Sequence, residues 1–301
     1  MKYICAQPAT LYYAWQIDVM LYSFKETGVK LEDVHIVCAI HNEIHDYFNT
    51  LTKKYKQVFF SFYEDTRVDK SYISSIRPHI LKKHFKAFPE LVNERIFYHD
   101  SDIAFTKPLS LEKYMSDDIL YVSDTISYIG YDYIMSKGRD VLEKMLEIVG
   151  IDEDTVRLNE KNSGGAQYLL KGIDADYWGE VEVDCTRLFK EITQLNTEKV
   201  KKDPNHHSLQ IWCADMWAVL WNIWKRGKQT KVVDEMDFLW SVTPSSKWNE
   251  VSIYHNAGVV DSNSGMFYKG EYMNKFPDLN LDISNDKCSY KYYELVKKAI
   301  Q

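Results

Sequence analysis

The sequence predicts an α/β protein with a mainly parallel central sheet flanked by helices. Three observations carry this reading. Strand-like and helix-like segments alternate from residue 2 to residue 105, a buried strand near residue 98 runs into a pair of acids, and no linker-like stretch interrupts the chain. Lys2 to Ala6 reads as a strand, and Tyr13 to Thr27 as a helix with Trp15, Val19, Tyr22 and Phe24 on its apolar side, ended by Gly28. Val34 to Ala39 is the second strand, Asn42 to Tyr55 a helix, Val58 to Phe62 the third strand and His79 to Phe88 a helix. Ile96 to His99 is the fourth strand, because β-branched and aromatic residues follow one another there without helical spacing.

Composition bounds the function. A chain of 301 residues can bury a large core, and 45% hydrophobic with 14% aromatic residues is globular, not disordered. A net charge of −7 argues against nonspecific nucleic-acid binding, which needs a basic stripe, but leaves room for a local basic pocket. No run of 18 apolar residues exists, so no membrane span is expected, and Met1 to Pro8 enters a strand without a signal-peptide core. The five cysteines (Cys5, Cys38, Cys185, Cys213, Cys288) are scattered, with no Cys-x-x-Cys. That pattern disfavours a disulfide framework or structural zinc and predicts reduced thiols in a cytoplasmic protein. No Gly-x-Gly-x-x-Gly or Walker sequence is present, which disfavours dinucleotide and P-loop chemistry, and the charged stretch 196–207 reads as an exposed loop.

The chemistry concentrates in a few blocks. Asp100-Ser101-Asp102 follows the fourth strand, so two hard oxygen ligands stand at the carboxyl edge of the sheet, where open α/β sheets bind ligands. Mg²⁺ or Mn²⁺ takes one or two protein carboxylates plus substrate phosphates, so the spacing suits a metal that bridges protein and diphosphate. Asp-x-Asp is also common in solvated turns, and its company decides between the two. Asn162-Ser163-Gly164-Gly165 is a polar turn entering an apolar strand, where two glycines let backbone approach a ligand or simply form a hairpin. Trp212 to Trp221 reads as a buried helix carrying one acid, Asp215, which needs a partner, a capping role or a function. Ile253 to Gly258 is a short strand ending in His255, a suitable third ligand beside two carboxylates. Asp124 again follows a strand-like run and reads equally as a turn acid.

In this order the blocks resemble GT-A glycosyltransferases, most closely the metal-dependent groups that include glycogenin-type and bacterial galactosyltransferase enzymes. Tyr12-Tyr13-Ala14-Trp15-Gln16, with Ser23-Phe24 further on, also resembles plant peptidyl-serine galactosyltransferases and hydroxyproline arabinosyltransferases. The resemblance covers residues 1 to 270 in short blocks. It implies a single domain over 1–301, with 1–105 the nucleotide-binding half and 106–301 the acceptor-binding half. It also implies transfer of a sugar from a nucleotide-sugar donor, a UDP-sugar by analogy, to a glycan or glycoconjugate hydroxyl, assisted by Mn²⁺ or Mg²⁺. Asp100, Asp102 and His255 would hold the metal. Gln7, Pro8, Ala9 and Thr10 would line nucleobase and ribose, with Arg77, Asp100, Ser101, Gly164, Gly165 and Lys269 on the donor. Asp215, Asn162 and Asp124 would serve the transfer itself. Tyr128, Tyr131, Tyr133, Trp178 and Trp217 offer rings for a sugar face, with core packing the competing role, above all for Trp217. One departure stands out: the Lys-Pro-Trp that follows the histidine in the glycogenin-type pattern is missing, and Lys269 is the nearest substitute. A sugar-phosphate nucleotidyltransferase would share the acids and metal but carry a Gly-rich basic loop where Gln7 to Thr10 stands. A non-catalytic carbohydrate-binding protein would need no such metal site.

Overall fold

The computed structural model describes residues 1–301 as a mixed α/β fold whose seven-stranded sheet is flanked by helices. In chain order the elements are β1 (Lys2–Pro8), α1 (Leu11–Glu26), β2 (Val34–Ile40), α2 (Tyr47–Lys54), β3 (Phe59–Glu64), α3 (Ile76–Ala87), β4 (Ile96–His99) and β5 (Ile103–Phe105). There follow β6 (Leu120–Asp124), α4 (Ile126–Ile129), α5 (Tyr131–Met135), α6 (Arg139–Val149), α7 (Glu153–Leu158), β7 (Gly164–Leu170), α8 (Ala175–Lys202) and α9 (Ala214–Lys225). The last are β8 (Thr230–Val232), β9 (Phe238–Trp240), β10 (Ile253–His255) and α10 (Cys288–Ile300). The sheet order is β3-β2-β1-β4-β7-β6-β8, and β5, β10 and β9 form a second sheet in the order β5-β10-β9. The chain divides into two compact units, one of Met1–Glu64, Tyr98–Lys113 and Asp234–Gln301, the other of Asp65–Phe97 and Tyr114–Val233.

In the first unit β1, β2 and β3 run parallel. β1 and β2 are buried along almost their whole length, as parallel strands covered on both faces require. α1 is apolar nearly all round, and its lone buried acid, Asp18, is satisfied by Tyr47 Oη at 2.5 Å, Tyr55 Oη at 2.7 Å and Lys54 Nζ at 2.8 Å. Trp15 packs in one aromatic cluster with Tyr254, Phe267, Tyr272, Tyr292 and Tyr293.

In the second unit β6 pairs antiparallel with β7 and parallel with β8. α8 packs against α3 and α9, and its first turn is capped by Asp174, which accepts from the Tyr177 N–H at 2.8 Å. Trp178, Trp217 and Trp221 fill this core. Trp217 Nε1 donates to the Ile129 carbonyl at 2.8 Å and Tyr177 Oη to the Val219 carbonyl at 2.6 Å, so the large rings are buried without stranded donors at these positions.

Two expectations need correction. Residues 42–46 lie outside α2, because the His45 N–H donates to the Ala9 carbonyl at 3.0 Å and the His45 Nδ1 accepts from the Tyr47 N–H, a tertiary hold that competes with helix. The stretch read as a loop from 196 is helical through Lys202. Lys199, Lys201 and Lys202 suit the negative end of the helix dipole, and buried Asn196 exchanges hydrogen bonds with the Leu209 backbone. The five cysteines are free and buried, and no helix is long and apolar enough to cross a membrane.

One core contact yields a stability prediction. Asp184 on α8 is buried and accepts from Asn222 Nδ2 at 2.9 Å, while Asn222 Oδ1 has no partner. Burial pushes the Asp184 carboxyl above its ordinary range. Asp184→Asn removes the charge and supplies a donor to Asn222 Oδ1, so it should stabilise the protein at pH 7 by about 1 kcal/mol in urea unfolding. A raised carboxyl pKa means the folded state binds the proton more tightly than the unfolded chain. The wild-type deficit is therefore present above the folded-state value and gone below the unfolded one, near about 4. The variant's advantage should shrink as pH is lowered from 7 towards 4.

Candidate functional site

Asp100, Ser101 and Asp102 form the connection between β4 and β5, at the carboxyl end of β4. β5 then pairs antiparallel with β10 in a register that sets Ile103 against His255, Ala104 against Tyr254 and Phe105 against Ile253. That register carries the imidazole of residue 255 to the acids 153 or more positions earlier in the chain. The Asn256 N–H donates to the Asp102 carbonyl at 2.8 Å and locks the pairing just beyond its last residue. His255 Nε2 lies 3.3 Å from Asp102 Oδ1 and 3.9 Å from Asp100 Oδ2. One ligand atom from each of Asp100, Asp102 and His255 falls within 4.8 Å of the others. Two carboxylates and an imidazole are the oxygen and nitrogen donors that Mg²⁺ or Mn²⁺ accepts, so the residues fit a divalent cation.

The surroundings hold this group in place. Burial pushes the His99 imidazole down to about 4, so it is neutral at pH 7, and its Nδ1–H donates to the Asp100 carbonyl at 2.8 Å. The Trp240 ring lies parallel to His255, 8° between planes with centroids 6.2 Å apart. Asn256 Oδ1 accepts from Ser241 Oγ at 3.0 Å and from Tyr254 Oη at 3.1 Å. Lys269, which opens a short 3₁₀ turn (Lys269–Tyr272), donates to Asp102 Oδ2. Burial alone would raise the Asp102 carboxyl, but the Lys269 ammonium and then His255 outweigh it and hold it well below the usual carboxylate range. Burial and the Asp102 charge together push the Tyr12 phenol up.

The other residues singled out by sequence fall as follows. Ser101 is buried. Gln7, Pro8 and Ala9 are buried too, and the Ala9 backbone is engaged at both ends, its N–H on Ala39 and its carbonyl on His45. Of these four residues only Thr10 is exposed. Arg77 on α3 and Asp215 in the first turn of α9 meet, with Arg77 Nη2 donating to Asp215 Oδ2. Asp215 Oδ1 accepts from Tyr72 Oη at 2.6 Å, and Tyr72 stacks on Phe189 at 4.7 Å. Asp215 is thus a buried acid with a cation and a phenol on its two oxygens.

Around Gly164 and Gly165 the sheet is irregular. β6 and β7 shift register between Val122 and Ser123, and Ala166 adopts a left-handed φ of 64°. A Cβ on Gly164 would sit 2.2 Å from Val122 Cγ2 and 2.4 Å from the Ser123 carbonyl, and one on Gly165 would sit 2.6 Å from Met216 Cε. Both glycines therefore have a packing reason. The shift sets Asp124 opposite Gly164; Asp124 is exposed and accepts from the Ile126 N–H at 3.0 Å. Asn162, half-buried, accepts on its carbonyl from Thr230 Oγ1 at 3.0 Å.

Trp178 is corrected from a sugar-facing ring to core, at 1% exposure, and Trp217 is core at 0%, the role favoured for it from the sequence. Trp212, by contrast, is 60% exposed and stacked with Tyr128 at 6.5 Å. Sequence reasoning also missed Tyr72 and the Ser241–Tyr254–Asn256 group, and it singled out Tyr12 only within a block of resemblance, not as a neighbour of Asp102. The polar Asn directly after His255 was the one local signal for the last of these.

No protein-family model matches the chain, and no curated protein matches it by sequence. Among solved structures, the apo bifunctional glycosyltransferase WbbM aligns over 98% of this chain and 49% of its own, with TM-score 0.52 and 9% identity. The chain has a GT-A glycosyltransferase fold. It spans about half the length of WbbM. The galactosyltransferase LgtC, solved with donor and acceptor sugar analogues, aligns over 99% of this chain and 96% of its own at TM-score 0.44 and 10% identity. Mouse xyloside xylosyltransferase 1 aligns over 85% and 97% at TM-score 0.43 and 9% identity. At such identities the likeness is one of fold.

Two substitutions probe the GT-A chain's second unit. Asp215→Ala leaves the Arg77 guanidinium without its counter-charge in a largely buried setting, and should cost about 3–5 kcal/mol in denaturant unfolding. Asp215→Asn, which still accepts from Tyr72, should cost less. An unchanged midpoint for Asp215→Ala would show that the pair carries no folding energy.

Proposed function

We propose that the chain is a nucleotide-sugar-dependent glycosyltransferase that moves a sugar from a UDP-hexose or UDP-pentose to a hydroxyl of a glycan or glycoconjugate. The observation that carries the proposal is the convergence of Asp100, Asp102 and His255 on one point of a GT-A fold. A divalent cation held there would neutralise the charge that develops on the leaving diphosphate. The chain's own residues supply the rest. Lys269 brings a positive charge to the same place, suited to a phosphate oxygen. Asp124 is exposed, which suits a base taking the acceptor hydroxyl's proton in an inverting transfer. Asp215, with both oxygens already accepting, suits support of a cationic sugar, alongside Asn162. Residues 7–10 at the end of β1 and Arg77 belong to the donor side of this reading, and the five buried free thiols favour a cytoplasmic protein.

A donor screen tests the proposal. Incubated with UDP-sugars and Mn²⁺, the protein should release UDP slowly without an acceptor. EDTA or Asp102→Ala should lower that release at least about a hundredfold, with circular dichroism unchanged. Release that persists undiminished in EDTA, or that occurs only with GDP-sugars, would overturn the metal or the donor assignment respectively.

A further inference from the structure

Lys269 stands on the acid that the cation needs. Asp102 presents Oδ1 to His255 at 3.3 Å and Oδ2 to the Lys269 ammonium. We propose that Lys269 is a resident competitor for the cation: a divalent ion binds only by displacing the lysine from Asp102, so the site is gated by one of its own side chains. The proposal rests on Asp100, Asp102 and His255 being the metal group.

Charge and anchoring both support it. Asp100 and Asp102 offer two negative charges within the ligand group, and a docked ammonium cancels one of them at the carboxylate itself. A cation arriving beside that ammonium meets like-charge repulsion at contact range and loses one carboxylate oxygen as a ligand. The backbone on either side of Lys269 is pinned. The Phe267 N–H donates to Ser289 Oγ at 2.9 Å, and the Phe267 ring stacks on Tyr272 (5.5 Å, 9°) and Tyr293 (5.6 Å, 25°). Trp15 Nε1 donates to the Tyr272 carbonyl at 3.1 Å, and Tyr272 is buried. Exchange is therefore a rotation of the lysine side chain, not a movement of the turn. The Lys269 side chain is 24% exposed, so a solvent-facing route exists for it. Once displaced, the ammonium regains a partner only when an anion enters. Cation binding in the absence of nucleotide is accordingly weak by construction, and an incoming diphosphate relieves the competition.

Mn²⁺ binding to the full chain without nucleotide tests this, read by calorimetry or by the electron paramagnetic resonance of free Mn²⁺. Lys269→Met should bind Mn²⁺ at least about tenfold more tightly than wild type. Lys269→Gln, which keeps a polar end and serves if the Met variant fails to fold, should move in the same direction. Lys269→Arg keeps the charge and should stay as weak as wild type. Equal or weaker binding by the neutral variants, with binding lost in Asp102→Asn, overturns the gate while upholding the metal site. Binding that Asp102→Asn leaves unchanged overturns the site assignment, and the gate with it.

Discussion

The antiparallel pairing of β5 with β10 is the constraint on which the meeting of His255 with Asp100 and Asp102 depends. Three residue pairs and the Asn256 N–H on the Asp102 carbonyl decide that His255, and not a neighbour, stands beside the acids. Side chains alternate along a strand, so a slip of one residue would turn His255 away and bring Tyr254 or Asn256 to its place. The aromatic cluster of Trp15, Tyr254, Phe267 and Tyr292 packs behind β10, and a slipped register would also break that core. Stability and site geometry are enforced by the same contacts.

Three of the buried acids in this chain, Asp18, Asp215 and Asp102, are each met by a cation, whereas Asp184 accepts from the Asn222 amide. Asp18 is saturated by two phenols and an ammonium and has a purely structural explanation. Asp215 is held by Arg77 and Tyr72, an arrangement that orients it firmly while anchoring α9 to α3 and the segment before it. Asp102 differs in its second partner: one oxygen meets the Lys269 ammonium and the other an imidazole that also lies near a second carboxylate, Asp100.

Glycines and aromatics show how one residue type serves two ends. Gly164 and Gly165 are where the irregular β6–β7 pairing and the approach of Met216 leave no room for a Cβ, so their presence needs no ligand to explain it. Trp178 on α8 and Trp217 on α9 are spent on the core, fully buried. Trp212, just before α9, escapes the core and is exposed, stacked with half-buried Tyr128.

The sequence by itself determined the alternation of strands and helices, the strand that delivers Asp100 and Asp102, and the short strand that ends in His255. These are legible because they rest on local patterns: unbroken β-branched and aromatic runs, helical spacing and acids at element ends. It did not disclose the true extent of α2 or α8, since His45 and Asn196 are held by backbone groups of Ala9 and Leu209 that no local pattern reveals. Nor did it pair Arg77 and Tyr72 with Asp215, although each was there to be read; 138 and 143 residues separate them from it. Lys269 was visible only as the nearest lysine after His255, and the packing of Phe267 and Tyr272 decided that it reaches Asp102. Local periodicity records which residues are buried. Which buried residues meet is set by strand register and ring packing, and those are properties of the folded chain alone.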